Sequence, residues 1–151
     1  MDVLDSPINF FGQRPNALVM VTIFEVWRYF PLSFLFILAR MQSIDIEMYE
    51  AADMDGASPL QKFWYINLPM LVGIMSILFL LRFIWTFNKF DDIFLLTGGA
   101  SGTRTLTVNV YEQAFAVSNI GAGAAVAVVI FIFLLIFSIL FFKFFSQEEG
   151  L

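Results

Sequence analysis

A chain of 151 residues that is 60% hydrophobic, with 20 phenylalanines and only 14% charged residues, is too apolar to dissolve as a compact domain of its size. Its net charge of −5 excludes the clustered basic surface that a nucleic acid requires. The absence of cysteine and histidine excludes disulfides, thiolate chemistry, Cys/His zinc sites and histidine general bases, and with the remaining acids scattered the chain is expected not to be an enzyme.

Residues 1–16, "MDVLDSPINFFGQRPN", lack the basic start and apolar centre of a cleavable signal peptide and read as a turn-rich extramembrane loop. Residues 17–39 follow as a first membrane span. At 1.5 Å per residue they reach roughly 34 Å, against a bilayer core of about 30 Å. Pro31 inside this span is expected to bend or locally break the helix.

Residues 40–69 are polar and punctuated by turns, and their spacing predicts two short helices. The first covers about 46–54, with Asp45 able to cap it and Gly56 placed where a helix ends in a left-handed residue. Ser58 then caps a second helix, Pro59 takes its first position, and Gln61 completes a Ser-x-x-Gln capping box. Phe63, Trp64, Ile66 and Leu68 give this helix an apolar side. The element reads as a rigid helical knob outside the bilayer; an ordinary amphipathic surface loop is the alternative on composition alone.

A second span is predicted over 70–87, with Pro69 in its first turn, where a missing N–H costs nothing. Residues 88–120 form a loop with short helices, turning at Gly98, Gly99 and Gly102, and expected to lie against the membrane surface or partly re-enter. The third span, 121–143, carries no charge before Lys143, and residues 144–151 are a short acidic tail. Gly121, Gly123, Ala124 and Ala125 begin it with a small-residue surface suited to helix packing. Arg40, Lys62 and Lys143 on one side balance Arg14, Lys89 and Arg104 on the other, so charge does not decide the orientation.

Three ionisable residues fall within predicted spans: Glu25, Arg28 and Arg82. Each costs at least about 2.5–3.5 kcal/mol at a helix centre, so it must face a cavity or a partner. Glu25, Arg28 and Tyr29 share one helix face, and Arg82 and Thr86 share another. Two roles stay open: a Glu–Arg pair locking two helices (or arginines reaching an interface), and a polar lining for a solute path.

Glu50-Ala51-Ala52, then Gly56, then Ile66-x-Leu68-Pro69 match EAA-x3-G-x9-I-x-L-P at every fixed position. This resembles the signature loop of the membrane subunits of binding-protein-dependent ABC importers. "WRYFPLSFLFILARMQSIDIEMYEAADMDGA" and "RFIWTFNKFDDIFLLTGG" are similar to the carbohydrate-uptake branch. The resemblance implies an all-α, multi-pass protein of the cytoplasmic membrane whose three transmembrane helices correspond to the C-terminal half of an importer permease. It places 40–69 and 144–151 in the cytoplasm, and 1–16 and 88–120 outside. Its knob would be the coupling helix, meeting a cytoplasmic ATP-hydrolysing subunit through Glu50, Ala51, Ala52, Asp55, Gly56, Ala57, Phe63, Ile66, Leu68 and Pro69.

By the same resemblance, Glu25, Arg28, Tyr29, Leu32, Arg82 and Thr86 would line the path of a sugar or polyol. A second permease subunit, a solute-binding protein and the lipid bilayer would be the other partners, and no nucleic acid. The chain would hold no cofactor of its own: "TGGASGTRT" lacks the G-x4-G-K-[ST] pattern, so ATP would sit on the partner subunit. Family members commonly have proline at the position of Asp45, and glycine then proline at Ala100 and Ser101. They also have about six spans, so a truncated gene, a fragment or a late-started reading frame is expected, and not a working translocation half alone. The same fold moving amino acids, peptides or oxyanions is one alternative; a membrane scaffold without transport activity is the other.

Overall fold

A computed structural model describes residues 9–145; the first part of the predicted 1–16 loop and most of the 144–151 tail lie outside the described residues. The protein is an all-α membrane protein. Among the described residues, three helices are long and apolar enough to cross a bilayer: Asn16–Gln42, Pro59–Phe87 and Ile120–Phe145. The first is α1. It runs through Pro31 without interruption, so the expected local break is not present. One proline removes a single i→i−4 bond and leaves the rest of the 27-residue ladder intact.

The knob begins with α2, Ile46–Met54. Asp45 caps it by accepting from the Glu47 N–H at 3.2 Å. At the other end, Gly56 adopts φ +74°. Its N–H reaches Asp53 O at 3.0 Å, and the Ala57 N–H reaches Ala52 O at 2.9 Å. These two bonds make a Schellman motif, which only a left-handed residue allows. Ser58 and Gln61 form the capping box, with Ser58 N–H donating to Gln61 Oε1 at 2.7 Å, and α3 follows over Pro59–Lys62.

Past α3 the chain does not stop and restart, as a boundary at residue 69 requires. A π-helical turn, Phe63–Asn67, joins it to α4, Leu68–Phe87, in one unbroken 29-residue helix. Pro69 supplies the reason. It has no N–H for Tyr65 O, and its ring would crowd that carbonyl in a normal α-turn. The wider turn, in which Leu68 N–H bonds Phe63 O, relieves the crowding. The extra residue also shifts the helix register: Ile66 and Leu68 are half-buried, whereas Phe63 and Trp64 stay exposed.

The 88–120 segment folds as α5, Asp91–Thr97, and α6, Leu106–Tyr111, with a π-helical turn over Glu112–Ala116 before α7, Ile120–Phe145. The glycine-rich turn between α5 and α6 is tied by Thr97 Oγ1 and Thr103 Oγ1, 2.5 Å apart, and by Thr103 Oγ1 donating to Ala100 O. Gly123 of α7 is buried against α6 and its π-turn. A Cβ there would come within 3.1 Å of Ala114 Cβ and Val110 O, which is why the helix start is small. Val21 of α1, Ile93 of α5 and Val108 of α6 make the buried cluster that holds this segment onto the first span.

Helices α4 and α7 are joined by phenylalanines. Phe79 faces Phe141 at 6.1 Å, Phe83 faces Phe137 at 3.9 Å, and Phe87 faces Phe133 at 5.0 Å between ring centroids. Each step advances four residues on one helix and retreats four on the other, the signature of an antiparallel pair using i, i+4 rows.

Candidate functional site

The knob is fixed to the helix it feeds. Tyr49 of α2 donates through its hydroxyl to Asn67 Oδ1, and Lys62 pairs with Asp53. Ala52, Asp55, Gly56, Ala57 and Ile66 then line a shallow hollow of about 240 Å³ between α2 and the following helix. Glu50, Ala51, Asp55, Gly56, Phe63 and Pro69 are exposed; Ala52, Ala57, Ile66 and Leu68 are half-buried. The result is a stiff, turned platform with small residues at its crest. It is continuous with α4, so a displacement of the platform is carried along the rod rather than absorbed in a loop.

At the far end of that rod, four of the six predicted path residues converge. Glu25, Arg28 and Tyr29 of α1 meet Arg82 of α4. Arg82 reaches Glu25 Oε2 at 3.7 Å, and its guanidinium lies 3.7 Å from the Tyr29 ring centroid. Tyr29 also packs on Trp85 at 6.1 Å. Leu32, one turn further along α1, is half-buried. Thr86 is turned elsewhere: its hydroxyl bonds Arg82 O at 2.8 Å, and it lines a separate cavity of about 430 Å³ with Arg104 and Asn109.

Two residues complete the cluster that sequence reasoning missed. Lys89, just past α4, lies 3.3 Å from Glu25 Oε1 and also contacts Asp92. It donates to the Tyr29 hydroxyl at 2.5 Å. Asp92 of α5, 7% exposed, takes Arg28 as a second cation. Glu25 Oε1 and Asp92 Oδ2 are buried without a hydrogen bond of good geometry, so charge pairing with Lys89 compensates them. Burial disfavours the Lys89 ammonium, yet its bonds to Asp92 and Tyr29 outweigh that and hold its pKa above the usual lysine value. Burial likewise disfavours the Asp92 carboxylate, but Lys89, Glu25 and Arg28 hold its pKa below the usual range. The signal was present in "NKFDD", a lysine and an aspartate three apart beside a span that carries Arg82.

Arg28, Tyr29, Trp85, Asn88, Lys89 and Asp91 line a cavity of about 350 Å³. Aromatic faces beside hydrogen-bonding side chains can hold a polyhydroxylated ring by its C–H faces and oxygens.

The profile of the binding-protein-dependent transport system inner membrane components matches residues 8–148. The inner membrane ABC transporter permease protein YcjO of Escherichia coli is 40% identical over 111 residues, covering 74% of this chain and 37% of the relative. The trehalose/maltose transport system permease protein MalF of Thermococcus litoralis is 37% identical over 116 residues, 77% of this chain and 39% of the relative. The arabinooligosaccharides transport system permease protein AraP of Bacillus subtilis is 30% identical over 148 residues, 96% of this chain and 47% of the relative. The chain thus spans less than half the length of these curated relatives.

Proposed function

The chain belongs to the family of binding-protein-dependent transport system inner membrane components, and from that membership we propose that it serves a sugar importer of the cytoplasmic membrane as permease sequence. It supplies the coupling element and part of the solute path. ATP is bound and hydrolysed by a separate cytoplasmic subunit that docks on the 40–69 loop. A second permease subunit and an extracytoplasmic solute-binding protein complete the assembly, and the membrane chain does no chemistry itself. The solute is a sugar or related polyol, a reading supported by relatives named for trehalose, maltose and arabino-oligosaccharides.

One observation carries this reading: the capped platform and α4 are a single continuous helix from Pro59 to Phe87, ending beside Arg82 and Lys89. Closure of the ATPase subunits moves the platform, the rod transmits the motion, and the ion-paired junction of α1, α4 and α5 changes its exposure. Glu25, Arg28, Tyr29 and Arg82 line the path at that junction; Leu32 and Thr86 belong to its periphery.

Co-purification tests the docking. An ATPase subunit expressed with the chain is retained by the unaltered protein and lost from Glu50→Lys and from Gly56→Asp, whose Cβ meets nothing within 4 Å but which strains the left-handed turn and adds a charge at the crest. Retention of the ATPase by both Gly56→Asp and Glu50→Lys would favour a scaffold role without transport.

A further inference from the structure

Lys89 is not among the residues that the signature loop or the spans single out, yet it contacts Glu25, Tyr29 and Asp92 together. An ammonium has three N–H donors. Three oxygens surround this one: Tyr29 Oη accepts its hydrogen bond at 2.5 Å, while Glu25 Oε1 at 3.3 Å and Asp92 Oδ2 pair with it by charge. Its backbone is held as well, because Lys89 O accepts from Thr105 Oγ1 at 3.3 Å and from Thr107 Oγ1. The side chain is 12% exposed, so little water competes for those donors.

We infer that Lys89 is a positioning residue of the solute cavity, fixing the Tyr29 phenol so that its hydroxyl proton is offered to a sugar oxygen. This rests on the reading of the cavity as a solute site. A phenol has one proton and accepting lone pairs. With Lys89 donating to the oxygen, the phenol's own proton must be directed elsewhere, and the ring is already flanked by the Arg82 guanidinium at 3.7 Å and by Trp85. Lys89, with Arg28 on Asp92 and Arg82 on Glu25, balances the charge of the two buried acids. The recognised feature is therefore an acceptor oxygen, a ring or hydroxyl oxygen of a saccharide, set against an aromatic face.

Two measurements on the assembled transporter, with its ATPase and solute-binding protein, test this. The first is uptake of labelled trehalose and maltose. Lys89→Met raises the half-saturating concentration about tenfold at unchanged maximal rate, and Lys89→Arg, which keeps a donor, stays within about threefold of the unaltered chain. Because the effect passes through the phenol, Lys89→Met added to Tyr29→Phe costs nothing further. Additive losses, or a fall in maximal rate alone, would overturn the inference. The second is the magnetic dipolar coupling between lysine 15Nζ and tyrosine 13Cζ in bilayers, which must be present in the unaltered chain and vanish in Lys89→Met and in Lys89→Gln. Absence of the coupling in the unaltered chain also overturns it. Coupling present with neither sugar transported would instead count against the sugar-importer reading, and against this inference with it.

Discussion

Phe83 of α4 stacks on Phe137 of α7 with ring centroids 3.9 Å apart and planes 20° from parallel. The pair sits at the middle rung of the α4–α7 ladder, flanked by Phe79–Phe141 and Phe87–Phe133. Between membrane helices no hydrophobic driving force operates, so close packing of such rings must supply the association. A double-mutant cycle of Phe83→Ala and Phe137→Ala, read by denaturation in lipid–detergent mixed micelles, is expected to give a coupling of about 0.5–1.5 kcal/mol. The same cycle on Phe83 and Phe144, which is 69% exposed and stacks on no α4 ring, should give none.

Pro69 is the cause assigned to the π-turn, and its replacement tests that assignment. In Pro69→Ala the restored N–H can bond Tyr65 O, and the Phe63–Asn67 turn closes to an ordinary α-turn. The platform then rotates by about 100° relative to α4, one residue's worth of helix. The chain should stay folded and inserted, while transport driven through the platform falls by at least about tenfold. Unchanged uptake in Pro69→Ala would show that the turn's register has no mechanical role.

Ser101 lies where the family resemblance expects proline, and it adopts φ +53°, a value that proline cannot reach. A proline at this position would need a different turn. A left-handed L-residue costs roughly 1–2 kcal/mol, partly offset in glycine by unfolded-state freedom. Ser101→Gly is expected to raise thermal stability slightly, and Ser101→Pro to lower it by several degrees. Differential scanning in detergent separates the two.

The Lys89–Asp92 pair also makes a prediction for pH. Asp92 is held below its usual pKa, so its contribution is present above the unfolded value and lost only as pH falls through the lower folded value. Lys89 is held above its usual pKa, so its contribution is complete below the unfolded value and lost as pH rises through the higher folded one. Glu25, Arg28, Arg82 and the Tyr29 phenol are the other ionisable groups facing the pair. The stability difference between the unaltered chain and Asp92→Asn should thus be flat between about pH 4 and about pH 10 and shrink outside that window. A steep change near neutrality would contradict the paired arrangement.

The knob was legible in the sequence because its determinants are local. Asp45, Gly56, Ser58 and Gln61 each act on backbone groups no more than three or four residues away, and each makes the bond its type and spacing foretold. The long spans were legible because composition alone sets them. What escaped was either non-local or a matter of backbone register. Lys89 and Glu25 are 64 positions apart, and nothing in a single chain says which acid will take which cation. Thr86 sits four residues from Arg82, as a shared face requires, yet bonds back to the Arg82 carbonyl and faces another cavity. Pro69 read as a start signal, which is its commonest meaning. The π-turn that lets a helix pass through it follows from crowding at Tyr65 O and leaves no mark in the residue pattern.

The docking of the platform on a nucleotide-driven partner is tested most directly by a photo-crosslinking residue at Ala51, with the same residue at Val129, exposed within the α7 span, as the membrane-embedded control. Ala51 is exposed on α2, beside Glu50. Illumination of intact membranes should yield an adduct of the Ala51 variant with an ATP-hydrolysing subunit, lost when Gly56→Asp is added and absent from the Val129 variant. An adduct with lipid alone, or equal labelling of the ATPase from both positions, would contradict the coupling role.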